Sequence, residues 1–200
     1  MLKTKGYIKP EDYLEIERKA EYKSEYYKGE MFAMSGASKE HNIISTNITG
    51  ILFNQLLNKP CQVFHSDLRV KAIPSGLYTY PDIIVVCGEQ KFEDAQLNTL
   101  LNPTLIIEIL SDSTEDFDRG TKFVNYRQIN SLKEYILVSQ NKMKIEKYIR
   151  QGENKWLLTE ESNSEKTVEL PSINCLLLLK EVYRNIKFGE ATNPPAAKAG

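Results

Sequence analysis

Apolar and polar residues recur along the chain at two different periods, and the changes of period mark out its elements. Pro10-Glu11-Asp12-Tyr13-Leu14 predicts the first turn of a short helix, because Pro and acidic residues suit a helix start, and a charged stretch carries it to about Ser24. Apolar runs around Tyr26-Tyr27 and Met31-Phe32-Ala33-Met34 flank the Lys28-Gly29 turn and predict an N-terminal β-hairpin. Over residues 39–57, Ile43, Ile44, Ile48, Ile51, Leu52 and Leu56 repeat at helical spacing, which makes an amphipathic helix closed by Asn58-Lys59-Pro60.

Strand signals then crowd together. Residues 62–65, 68–73 and 80–87 are expected to form a curved meander, with Pro74-Ser75-Gly76 turning between the last two. The run Thr104-Leu105-Ile106-Ile107-Glu108-Ile109-Leu110 has the near-continuous apolar character of a strand buried on both faces, central in its sheet. Phe117, Thr121, Val124, Tyr126 and Ile129 line a helix, residues 134–138 form a strand, and residues 143–150 and 156–159 form a further hairpin. An apolar segment from Pro171 leads into a helix ending near Ile186, and Asn193-Pro194-Pro195-Ala196-Ala197 has the composition of a tail. The expectation is one α/β domain over residues 1–188 and a flexible tail over 189–200, without internal repeats.

Composition narrows the partners. With Lys+Arg 26 against Asp+Glu 27 in 200 residues, no global field draws the protein onto nucleic acid or an anionic membrane, so any basic surface must be local. No apolar run exceeds that of residues 175–179, far short of the roughly 20 residues that span a bilayer, and no signal-like apolar core opens the chain. A cytoplasmic location without membrane contact is therefore expected. Cys61, Cys87 and Cys175 are odd in number and widely spaced, and are read as buried small hydrophobes rather than a disulfide or a zinc site.

The chemistry starts with Glu108, whose carboxylate inside an apolar strand is costly to bury without a compensating charge or metal. Asp82 stands in the same position at the head of Ile83-Ile84-Val85-Val86, behind Pro81. If the two strands are neighbours, the acids converge on a hard cation such as Mg²⁺, with Mn²⁺ as the substitute, and make a phosphodiesterase site. Asp118, Lys122 and Tyr126 share a helix face, from which the Lys122 ammonium can return over the acids, flanked by Arg119 and Arg127 as phosphate contacts. The plainer readings are a packing ion pair for Glu108 and a solvated pair with Asp118 for Lys122. Glu30 and Asp67 are further acids, and Arg69 either pairs with Asp67 or joins it beside Asp82 as a nucleic-acid contact alongside Arg119 and Arg127. His41 reads as a helix-cap or core hydrogen-bonder, and Ser111 and Ser113 read as loop residues.

These residues also resemble a known family. Tyr80-Pro81-Asp82 followed by Ile107-Glu108-Ile109-Leu110-Ser111 is similar to the PD-(D/E)xK nuclease signature in its restriction-endonuclease-like branch, Uma-type or domain of unknown function 820. The likeness extends through Tyr26-Tyr27-Lys28-Gly29-Glu30, His41, Ser66-Asp67-Leu68-Arg69-Val70, Asp118-Arg119-Gly120-Thr121-Lys122 with Tyr126, and Lys133-Glu134-Tyr135-Ile136-Leu137-Val138. It implies a restriction-endonuclease-like mixed sheet flanked by helices, with the N-terminal hairpin added, and Mg²⁺-dependent cleavage of DNA, or of RNA, by Asp82, Glu108 and Lys122. One position departs: where the family signature has a lysine, this chain has Leu110, and Lys122 takes its place. The alternative is a nuclease-like homodimer that binds DNA or protein without cutting.

Overall fold

A computed structural model of the chain describes residues 6–93 and 95–188. The proposed tail lies outside the described residues. Two larger sheets carry the architecture. One has six strands in the order β11 (Trp156–Glu161), β10 (Ile145–Arg150), β9 (Glu134–Ser139), β8 (Leu105–Leu110), β6 (Ile83–Cys87) and β3 (Cys61–His65). Only β8 and β9 run parallel in it, so the sheet is mixed. The other has five strands, ordered β2 (Glu30–Ala33), β1 (Ser24–Tyr27), β5 (Leu77–Thr79), β4 (Arg69–Ala72) and β7 (Thr99–Leu100), and β12 (Thr167–Leu170) pairs with β13 (Cys175–Leu178).

Strand β8 is buried along its whole length, because the two faces of the six-stranded sheet meet different cores. Helix α2 (Lys39–Leu56) lays Ile44, Ile48, Leu52 and Leu56 on Ile83, Val85, Leu105, Ile107 and Ile109, together with β13 and α5 (Leu179–Val182). On the opposite face, Ile84, Val86, Ile106 and Leu110 pack with Tyr126, Ile129 and residues of the five-stranded sheet. Removing an isoleucine-sized side chain from either layer costs about 2–5 kcal/mol. Helix α1 (Pro10–Lys19) seals the second sheet through Tyr13, stacked on Tyr26 with ring centroids 4.9 Å apart.

Three expectations are corrected. The meander is not one sheet: the chain leaves the five-stranded sheet after Thr79, and Tyr80-Pro81-Asp82 is the crossover into β6 rather than its first part. Strands β5, β7 and β12 are too short or too mixed in pattern to announce themselves. The helix lined by Phe117 is not one regular α-helix: it runs as α3 (Glu115–Phe117), passes through a π turn (Asp118–Lys122) into α4 (Phe123–Tyr126), and ends before Ile129. Finally, Cys61 and Cys87 are opposite partners on β3 and β6 and form a disulfide, leaving only Cys175 as a buried free thiol among the described residues. Their distance in sequence hid the cross-strand register that joins them.

Candidate active site

Asp82 and Glu108 come together because of how β6 ends. Ile83 pairs with Ile107, so one further step of that antiparallel register sets Asp82 opposite Glu108. At that step the side chain replaces the ladder: Asp82 Oδ2 accepts the Ile109 N–H at 2.7 Å. Glu108 alternates with Ile107 and Ile109, and therefore points to the face that carries Ile106 and Leu110. Asp82, one residue before β6, opens onto the same cleft as Glu108.

Glu108 is only 2% exposed and accepts hydrogen bonds from Lys122 Nζ and Tyr126 Oη, both at 3.1 Å. The Lys122 ammonium also lies 3.0 Å from Asp118 Oδ1 and 3.3 Å from Glu25 Oε1. The π turn sets both Asp118 and Lys122 facing inward, and such turns are rare and concentrated at functional positions. Tyr126 is held in turn by Thr79, their hydroxyl oxygens 2.6 Å apart, and Glu25 accepts the Tyr80 N–H at 3.3 Å. A cleft of about 650 Å³ opens onto Glu25, His41, Asp82, Glu108, Asp118 and Lys122.

The electrostatics are those of a crowded acid site. Burial, reinforced by the negative charges of Asp118, Asp82 and Glu25 and opposed by Lys122, lifts the Glu108 carboxyl well above the usual range. Burial also raises Glu25, against the pull of Lys122. Lys122 loses hydration in the same place, yet Glu108, Glu25 and Asp118 hold its ammonium well above the ordinary lysine value. Three carboxylates around one ammonium, with Asp82 on the same cleft, leave surplus negative charge, and a divalent cation offsets it by displacing protons from the raised acids. The donor set is all oxygen, which suits a hard cation that keeps several waters and takes only one or two carboxylates. Among the described residues the acids are gathered on Lys122 and not spaced as a finished cage of three ligands.

Other expected members fall elsewhere. Asp67 is exposed and pairs with Lys23 at 2.9 Å and His65 at 3.3 Å. Glu30 opens β2 and does not line the cleft; Glu25, the buried acid of the same hairpin, lies there in its stead. Its signal was the strand period: Glu25 shares a face with Tyr27, which packs on the second core. Arg69 is 3% exposed and donates four hydrogen bonds from its guanidinium to Tyr80, Thr99 and Asn98, so it is buried away from an arriving phosphate. Arg119 is bound to Glu115 at 2.7 Å and Glu146 at 2.5 Å. Arg127 borders a different cleft, with Lys133, Arg150 and Trp156. His41, expected as a cap or core residue, instead meets Asp82 directly, its Nε2 3.1 Å from Asp82 Oδ1.

Known proteins share this sequence and shape. The Uma2 family model, described as a putative restriction endonuclease, matches residues 10–177. The uncharacterized protein slr1290 of Synechocystis is 34% identical over 181 residues, covering 90% of this chain and 94% of that protein. The uncharacterized protein sll1609 of the same organism is 37% identical over 158 residues, covering 79% and 89%. Among solved structures, a putative nuclease belonging to DUF820 from Anabaena variabilis superposes with a TM-score of 0.73 at 18% identity, covering 88% of this chain and 97% of the other. That likeness is one of fold. Among the described residues no helix is long and apolar enough to cross a membrane.

Proposed function

The chain belongs to the Uma2 family of putative restriction endonucleases, and from that premise we propose that it is a metal-dependent endonuclease that hydrolyses phosphodiester bonds in DNA. The observation that carries the reading is the buried gathering of Glu108, Glu25 and Asp118 around the Lys122 ammonium, in a cleft that Asp82 also lines. Asp82 and Glu108 would hold Mg²⁺ or Mn²⁺. When bound, that ion supplies Lewis-acid stabilisation of the phosphoryl oxygens and lowers the pKa of the attacking water.

The residues of the chain do the positioning. The Ile109 amide holds one oxygen of Asp82, while Tyr126 and Lys122 hold the Glu108 carboxylate. Lys122 offsets the surplus charge of the acids and stands at the floor of the cleft where a phosphate arrives, the role that buried Leu110 cannot fill. Lys23 and the hydroxyl groups of Ser38, Ser45, Ser111 and Ser113 line the approach. Arg69 takes no part in phosphate contact in this proposal; Arg119 and Arg127 remain its peripheral cations. A second copy would pair along a free sheet edge, β3 or β11.

The test is nicking of supercoiled DNA, with RNA in parallel, by wild type and Glu108→Gln in Mg²⁺, Mn²⁺ or chelator. The reading expects cleavage by wild type with metal alone. Binding without cleavage under every metal condition would establish the non-cutting alternative.

A further inference from the structure

His41 sits in the first turn of α2, where Ser38 caps the helix by accepting the His41 N–H at 3.0 Å. Ser38 also donates to Gln140 Oε1 at 2.8 Å, which ties the helix start to the segment after β9. The imidazole is thereby aimed at the end of β6, where its Nε2 meets Asp82 Oδ1. With Ile109 N–H on Oδ2, both oxygens of Asp82 are held, one from α2 and one from β8. The other ring nitrogen, Nδ1, is buried without a hydrogen-bond partner. An unpaired buried nitrogen works against stability, so folding alone does not account for a histidine here.

We propose that His41 is a positioning residue of the metal site, holding the Asp82 carboxylate in the orientation that binds a divalent cation. The proposal rests on the nuclease reading and deepens it. A carboxylate with one oxygen fixed still rotates about its last bond, whereas one fixed at both oxygens presents its remaining lone pairs in a single direction. Partners that orient a ligand in this way are commonly worth about 10- to 100-fold in metal affinity.

The experiment titrates the full chain with Mn²⁺, without nucleic acid, and follows the free aquo-ion signal by electron paramagnetic resonance. His41→Leu is expected to bind Mn²⁺ about 10- to 100-fold more weakly than wild type. His41→Gln, whose amide N–H₂ reaches the place of Nε2, is expected to recover most of the loss. Thermal melts without metal should leave His41→Leu no less stable than wild type, since it removes the unpaired nitrogen. Unchanged Mn²⁺ affinity in His41→Leu, alongside loss of binding in Glu108→Gln, overturns the role of His41 and leaves the metal reading standing. Equal weakness in His41→Leu and His41→Gln with a matching fall in melting temperature makes His41 a structural residue and also overturns it. Absence of Mn²⁺ binding by wild type overturns both.

Discussion

Lys122→Met keeps most of the apolar stem and deletes the ammonium that lies 3.0–3.3 Å from Asp118, Glu108 and Glu25. Each of those acids is almost fully buried, so none can turn to water for compensation. Stripping the partner from a buried charge costs about 3–5 kcal/mol, which in a chain of this size lowers Tm by roughly 6–20 °C at about 2–4 °C per kcal/mol. The loss must depend on pH. In the variant the acids escape their mutual repulsion by binding protons, so the deficit is small near pH 5 and grows as rising pH forces them to ionise. Divalent cation should restore part of the lost Tm at pH 8 by replacing the missing positive charge. Glu108→Gln added to Lys122→Met should cost less than the sum of the two single changes, because each removes what the other leaves unpaired. The assay is thermal or urea unfolding at pH 5 and pH 8, with and without Mg²⁺. A variant that melts with wild type at pH 8 would show that the ammonium does not hold these acids together. In cleavage, the same variant should lose about 10²- to 10³-fold, the scale of one charge contact made in the transition state.

Three further outcomes follow from the same geometry. Glu108 and Glu25 have folded-state pKa values above the ordinary carboxylate range, so wild type without metal should lose stability as pH rises from that range through the folded values, and Mg²⁺ should flatten the loss; unfolding free energy against pH checks this. Tyr126→Phe removes a hydroxyl bonded to both Glu108 and Thr79, and should cost about 1–3 kcal/mol in a urea melt. Arg69→Met should destabilise the chain by a similar amount while leaving the salt dependence of DNA binding unchanged, because its guanidinium holds Tyr80, Thr99 and Asn98; a shallower salt slope at equal folding would return Arg69 to the phosphate contacts.

How much of this was legible in the sequence depended on burial. Glu108 announced itself because a carboxylate stood inside an unbroken apolar strand, and Asp82 because it headed a second one. Lys122 followed from helical spacing combined with the family resemblance, which pointed to a cation displaced from Leu110. Glu25 was missed because its strand is only four residues long, so the period that pairs it with Tyr27 is brief, and because its burial depends on the packing of a second sheet. His41 was read as a helix residue, and only the packing of α2 against the end of β6 brings it to Asp82. Arg69 misled in the opposite sense: a basic residue beside the site in sequence is buried by α1 and β7, elements remote along the chain. The Cys61–Cys87 disulfide likewise depends on a strand register, which cysteine spacing does not contain.

The most direct measurement is anomalous scattering from a crystal of the full chain soaked in Mn²⁺. The account predicts a peak between Asp82 and Glu108, about 2.1 Å from an oxygen of each as for a small hard cation, with the Lys122 ammonium still on the Glu25 and Asp118 side. A peak elsewhere, or Asp82 and Glu108 left without one while Mn²⁺ occupies another cluster of acids, would contradict it.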